Sequence, residues 1–282
     1  MANRKLDMGL AWTQATGWIG SNRDTIGAIA GLFFFLPSLA LALFAPELVA
    51  PQPAAPAGAD PEVAMQAMMN QITQAYTDNW LIFAVITIIQ FVGSLALLAL
   101  LTDRGRPTVR EALMIGLASM LPYLAAQVMS TLGIALMIGI PLGLIAAAGS
   151  PVAAVLAGFV LVLIGLYIFV KFTLTAPVMA IEGERNPVKA LMRSWRLTKG
   201  NSFRIALFLL LLFFTIGIIA ALVTGVLGLA LSALGTQIAT IGNGVVSAIV
   251  NSGLGVLFLL VIGAVHRQLA GQSPEGLAAT FE

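Results

Sequence analysis

Over most of this chain apolar positions neither alternate nor recur on one face at a helical interval; they run on in long stretches. Residues 25–45 and 80–101 are near-continuous apolar stretches, while 112–170 and 205–266 hold no Asp, Glu, Lys or Arg over 59 and 62 residues. An apolar stretch of about 20 residues spans hydrocarbon about 30 Å thick. At about 1.5 Å per residue each long run makes nearly 90 Å of helix, enough for two crossings and a turn. Breakers sit where the turns are expected: Pro141, Gly143, Gly149 and Pro151 in the first long run, and Gly235, Gly242 and Gly244 in the second. The pattern predicts an all-α, polytopic integral membrane protein, one domain over 1–282, with six transmembrane helices near 25–45, 80–101, 121–140, 152–170, 203–227 and 245–265.

Composition agrees. Of 282 residues, 59% are hydrophobic and only 9% charged, against roughly a quarter charged in soluble domains. A wetted surface could not be built from so few polar groups. The absence of cysteine excludes disulfides, thiolate metal sites and cysteine nucleophiles.

The net charge of +2 says little, but its distribution gives an independent check. With six spans, all 14 basic residues fall on one side: Arg4, Lys5 and Arg23; Arg104, Arg106 and Arg110; seven from Lys171 to Arg204; and Arg267. The other side keeps Glu47, Asp60, Glu62 and Asp78 and no base. Lys and Arg near span ends stay in the cytoplasm, so each uncharged run must leave and return to the same face and hold an even number of spans. Both termini are then expected in the cytoplasm. A cleaved signal peptide competes for the first span, but about 20 residues precede the apolar run and that run is long for a signal core.

Between the spans, the outer loop 46–79 opens with a Pro- and Ala-rich stretch. It continues as a helix capped by Asp60, with Pro61 in its first turn. Met65, Met68, Met69, Ile72 and Tyr76 recur on one face of that helix, which is expected to cover the bundle or meet a partner. A methionine cluster can bind Cu(I), but adaptable packing residues give the same pattern. On the inner side, 186–200 reads as an interfacial helix: Asn186 caps it, Pro187 opens it and Gly200 closes it. Val188, Leu191, Met192 and Trp195 share one arc, and Lys189, Arg193 and Arg196 the next. Lys189, Arg193, Arg196 and Trp195 are therefore candidate contacts to anionic headgroups, although the same bases would also enforce topology. Weaker copies of this unit, 6–21 before the first span and 109–120 before the third, raise the expectation of a threefold repeat.

The search for chemistry is nearly empty. The spans carry no charged group in their interiors, which argues against an ion-coupled carrier. Gln90, Gln127 and Asn251 are candidates to line an intramembrane polar cleft, but such residues more often hydrogen-bond between helices. Gly27 and Gly31 form a GxxxG that suggests close helix contact. Lys171, at a span end, is expected to snorkel to the surface, and His266 to lie at the interface beside Arg267. No catalytic constellation, metal site or cofactor motif is present, so no enzymatic activity is expected.

The stretch Thr175-Ala-Pro-Val-Met-Ala-Ile-Glu182, continuing through Asn186-Pro187 and Ala190-Leu191 to Arg193-Ser-Trp195-Arg-Leu-Thr-Lys-Gly200, resembles the signature of a bacterial family. That family is the membrane domain attached to some glycerophosphoryl diester phosphodiesterases and found also in stand-alone proteins. The six-span layout is similar too. The phosphodiesterase domain itself resembles a TIM barrel with paired histidines and metal-binding carboxylates, and nothing here could supply it. The resemblance thus implies a membrane module without the hydrolase. Its expected partners are membrane phospholipids and a protein, with no nucleic acid. Two functions stay open: a lipid-associated scaffold or partner-interaction module, or a transport or channel component moving a lipid or small apolar solute.

Overall fold

A computed structural model describes residues 5–44, 60–101 and 107–271. Arg4, Arg104, Arg106 and the Pro- and Ala-rich part of the outer loop at 45–59 lie outside the described residues. Those described form helices and turns with no strand among them. In order these are α1 (Met8–Ser21), α2 (Arg23–Ala30), a π turn (Gly31–Phe35), α3 (Leu36–Phe44), α4 (Pro61–Asp78), α5 (Trp80–Leu100), α6 (Val109–Ala147), α7 (Pro151–Phe172), α8 (Thr175–Ile181), α9 (Pro187–Leu197), α10 (Ser202–Ser232) and α11 (Thr236–Leu269). Six stretches are long and apolar enough to cross a membrane: Arg23–Phe44, Trp80–Leu100, Val109–Ile145, Val152–Ile181, Ser202–Ser232 and Gln237–Leu269. The chain is an all-α, polytopic membrane fold.

Consecutive spans run antiparallel. In α6 and α7, Gly165 faces Ile134 and Ile138, and Gly158 faces Leu142; in α10 and α11, Leu231 meets Gly242. The turns lie where glycine is required. Gly149 (φ 75°) and Gly235 (φ 98°) adopt left-handed backbone, which costs an L side chain but not glycine. Pro151 then starts α7 at a position whose N–H would be unpaired in any case. Pro141, expected in the turn, instead sits inside α6 together with Pro122. A span shielded by neighbouring helices tolerates the lost backbone hydrogen bond. Gly242 and Gly244 are likewise helical. Their missing side chains admit Leu231 and Ala42.

The first span contains a π turn just ahead of Pro37, closed by Leu36 N–H donating to the Gly31 carbonyl. Local irregularity next to a residue lacking an N–H fits the known tolerance of spans. The expected surface helix at 109–120 is continuous with α6. Its start is a capping box: Thr108 N–H and Oγ donate to Glu111 at 2.8 and 2.9 Å, and Glu111 N–H donates back to Thr108 Oγ.

Burial is uneven. Large side chains with almost no exposure, Leu95, Leu97, Leu98, Leu174, Met179, Ile205, Leu260 and Val265 among them, gather where α5, α8, α10 and α11 meet at the basic end of the bundle. Along α6, α7 and α10, by contrast, Leu132, Leu136, Val155, Phe159, Phe213 and Leu222 point outward. Such outward apolar surface is stable against hydrocarbon. α4 carries its methionine face, Met65, Met68 and Met69, exposed rather than over the bundle. Its tie to the next helix is Tyr76 stacked on Phe83, with ring centroids 4.5 Å apart.

Candidate functional site: a clamp at the basic end

The stretch from Lys171 to Asn201 changes direction three times, and each change leaves backbone groups that need partners. α7 breaks at Thr173–Leu174, freeing the Lys171 carbonyl and the Leu174 N–H. Ser194, on α9 and fully buried, satisfies both: its hydroxyl donates to Lys171 O at 2.7 Å and accepts from Leu174 N–H at 3.2 Å. Unpaired, each group would cost about 1–3 kcal/mol. The next reversal uses Gly183 (φ 76°) and Asn186, whose side chain caps α9 by accepting from Lys189 N–H at 3.1 Å. The third uses Gly200 (φ 82°), after which Asn201 Oδ1 accepts from Leu6 N–H at 2.9 Å. That last bond ties the start of the chain to the site. Asp7 and Gln268 add a reciprocal pair: Asp7 N–H donates to Gln268 Oε1, and Gln268 Nε2 donates to the Asp7 carbonyl, both at 3.1 Å.

Across this scaffold Glu182 joins three elements. Its Oε2 accepts from Arg193 Nε at 2.8 Å and its Oε1 from Arg193 Nη2 at 3.1 Å, a forked pair. The same Oε1 lies 2.9 Å from His266 Nε2 on α11. An ionised carboxylate can only accept, so His266 Nε2 carries the proton. Burial pushes the Glu182 pKa up, but the hydrogen bonds and charges of His266 and Arg193 outweigh it and hold the group at about 2. His266 is 0% exposed, and its Nδ1 has no partner among the described residues. The interfacial position expected for His266 is therefore corrected: it is buried, and it reaches a carboxylate 84 positions earlier in the chain.

Trp195 completes the clamp. Its ring packs edge-on to Tyr167 at 6.2 Å and tilted against Phe172 at 5.7 Å. Lys171 does not snorkel. It is 2% exposed, and its ammonium lies 5.2 Å from the Tyr167 ring centre and 5.4 Å from that of Trp195. Close by, Arg267 lies over Trp18 of α1 at 5.8 Å.

The four proposed headgroup contacts thus divide. Lys189, Trp195 and Arg196 keep exposed surface, whereas Arg193 is half-buried on Glu182. Leu191 faces the protein rather than sharing an outward arc with Val188, Met192 and Trp195. The intramembrane candidates divide as well. Gln127 lines a cleft of about 240 Å³, together with Tyr123, Ser130 and Thr131 on one face of α6 and Phe169 and Phe258 opposite. Gln90 and Asn251 are not among its walls, and Asn251 is exposed on α11. Glu182 and His266 are each visible in the sequence, but no local signal links them. The forked Glu182–Arg193 pair was signalled only by Gly183 and the Asn186 cap lying between them.

No curated protein and no solved structure matches the chain. A family model does match, over rather less than half of it: from α6 near its second proline through the clamp to the end of α11. Residues 138–268 match the family described as the membrane domain of glycerophosphoryl diester phosphodiesterase, and this bears out the resemblance carried by Thr175–Gly200.

Proposed function

We propose that this protein is a non-catalytic module of a bacterial inner membrane, with both termini cytoplasmic, that serves as a lipid-associated scaffold or partner-interaction protein. One observation carries the reading: α9 has two faces with separate tasks. Ala190, Ser194 and Leu197 pin it to the bundle, while Val188, Met192 and Trp195 stay exposed beside Lys189 and Arg196. An apolar strip edged by bases and an indole is the pattern of a helix lying in an anionic headgroup layer. The exposed strip of α9 needs no catalytic group to act, and a module that works by binding fits it.

The test is the depth of a spin label at Met192→Cys, a position 60% exposed. In bilayers containing anionic lipid the label should sit below the headgroups, and it should loosen when that lipid is omitted. The Lys189→Gln/Arg196→Gln variant should lose this dependence on lipid charge. A freely wetted label in both bilayers would make α9 a cytoplasmic projection and sink the reading. The cleft at Gln127 supports a second reading, transport of a lipid or small apolar solute. Its walls include neither Gln90 nor Asn251, the other two polar residues expected there.

A further inference from the structure

Tyr123, Gln127 and Thr131 stand four residues apart, so they form one stripe along α6. All three line the cleft of about 240 Å³. A polar side chain within a span ordinarily hydrogen-bonds to a neighbouring helix. Here the Tyr123 hydroxyl, the Gln127 amide and the Thr131 hydroxyl make no hydrogen bond to any described residue. Ser130, beside them, donates to the Gln127 carbonyl at 3.0 Å and can still accept. The Tyr123 ring packs edge-on against Phe91 of α5 at 4.9 Å, which fixes the position of the phenol. The stripe therefore offers donors and acceptors to the cleft rather than to another helix.

The facing walls are apolar, with Phe169, Phe172, Phe258 and Ile262 among them, and no Asp, Glu, Lys, Arg or His lines the space. A charged head would lose its water there and gain no counter-charge. A plain hydrocarbon would leave the stripe unpaired. Ile262 lies one turn before His266, so the cleft begins just inside the clamp, and exposed Thr131 opens it sideways toward hydrocarbon. Its volume is that of about eight waters, room for a small head whose chain leaves through the side. We propose that the cleft binds one uncharged amphiphile, an acyl chain carrying a head with hydroxyl and ester oxygens, of which a monoacylglycerol is the simplest example. Gln127 both donates to and accepts from the head, the Tyr123 and Thr131 hydroxyls complete its hydrogen bonds, and the phenylalanine rings flank the start of the chain. Gln127 is then a specificity residue for a neutral head. The proposal concerns occupancy, so it holds whether or not the ligand is transported, and it is independent of where α9 lies.

The experiment uses the full chain in phosphatidylcholine nanodiscs. A monoacylglycerol with a diazirine beside its ester is photolysed, and the labelled peptides are mapped by mass spectrometry. Labelling should concentrate on 169–176 and 258–262 and should saturate. Unlabelled monooleoylglycerol should compete it away, and octadecane should not. A phosphatidylcholine bearing the same diazirine should label the outward faces of α7 and α10 without saturating the cleft. Gln127→Leu should weaken the saturable labelling about five-fold, the factor for one hydrogen bond worth ~1 kcal/mol. Labelling that spreads evenly and never saturates would overturn the site and leave the stripe to water. Equal competition by octadecane would overturn the role of the polar stripe. Equal saturable labelling by the phosphatidylcholine would overturn the selection of an uncharged head. The competition arms use the unaltered chain, so they decide the matter even where Gln127→Leu fails to fold.

Discussion

Glu182 shows how much one side chain can organise. Its two oxygens hold Arg193 of α9 and His266 of α11 at 2.8–3.1 Å, so a surface helix and the last span are fixed by a single carboxylate. Glu182→Gln keeps the shape but replaces the charge and one acceptor with an amide. It should cost about 1–2 kcal/mol, the value for charge-assisted hydrogen bonds reduced for the partial exposure of Arg193. The measurement is unfolding of the purified protein in mixed detergent. The sign of the pH effect follows from the direction of the shift. Because the folded-state pKa is depressed to about 2 from an ordinary value of 4.5, the contribution is complete above pH 4.5 and fades as pH falls toward 2. Glu182→Gln should lack that part of the acid loss. Parallel acid curves for the two proteins would show that the carboxylate is not coupled to folding.

At the scale of elements, the tightest approach to backbone is between α5 and α6. A side chain at Gly116 would place its Cβ 2.6 Å from the Val92 carbonyl oxygen and 3.0 Å from the Ala96 nitrogen, both backbone atoms that cannot step aside. Gly116→Ala should therefore destabilise the bundle by about 1–3 kcal/mol through overpacking. Gly27 and Gly31, whose spacing suggests close contact, are different: a Cβ at either would meet nothing within 4 Å. Gly27→Ala should be neutral or slightly stabilising, because alanine favours the helix. Thermal unfolding of both variants in the same detergent checks the pair. A loss at Gly27 equal to that at Gly116 would contradict the packing described. α9 obeys the same logic of small residues at contacts: Ala190 and Ser194 let it lie close against the α7–α8 break.

For the molecule as a whole, the antiparallel spans bring Arg23, Arg110, Lys171, the bases of α9 and Arg267 to helix ends on one side of the bundle, with Asp78 at the other. That arrangement, with the preference of Lys and Arg for the cytoplasmic side, predicts the sidedness. Single cysteines at Lys189 and Gln272 should resist a membrane-impermeant thiol reagent in intact cells and react after lysis. A cysteine at Asp60 should react in intact cells. Labelling of Lys189→Cys from outside would reverse the orientation. The core is densest on the basic side, while α6, α7 and α10 present bare apolar surface along their length. The clamp is accordingly the part expected to hold its structure longest as detergent is made harsher.

Reading the chain alone was enough for the solvent, the number of spans, the helical class and the position of the α9 unit. Each of these follows from local quantities: uninterrupted apolar length, charge at the ends of runs, and cap residues such as Asn186 and Gly200. The family signature in Arg193-Ser194-Trp195 was legible too, though not what those residues do. It took the folded bundle to turn Arg193 to Glu182, to set Ser194 at the α7–α8 break, and to lay Trp195 over Lys171. Folding also buried His266, narrowed the turn expected between Pro141 and Pro151 to the neighbourhood of Gly149, and left Gln90 and Asn251 outside the walls of the cleft at Gln127. In hydrocarbon an apolar run is stable whichever face it buries, so the pattern that reveals a span says little about its rotation. Partners for polar groups are chosen by proximity in three dimensions, as with Glu182 and His266, and proximity across 84 residues leaves no mark on local sequence.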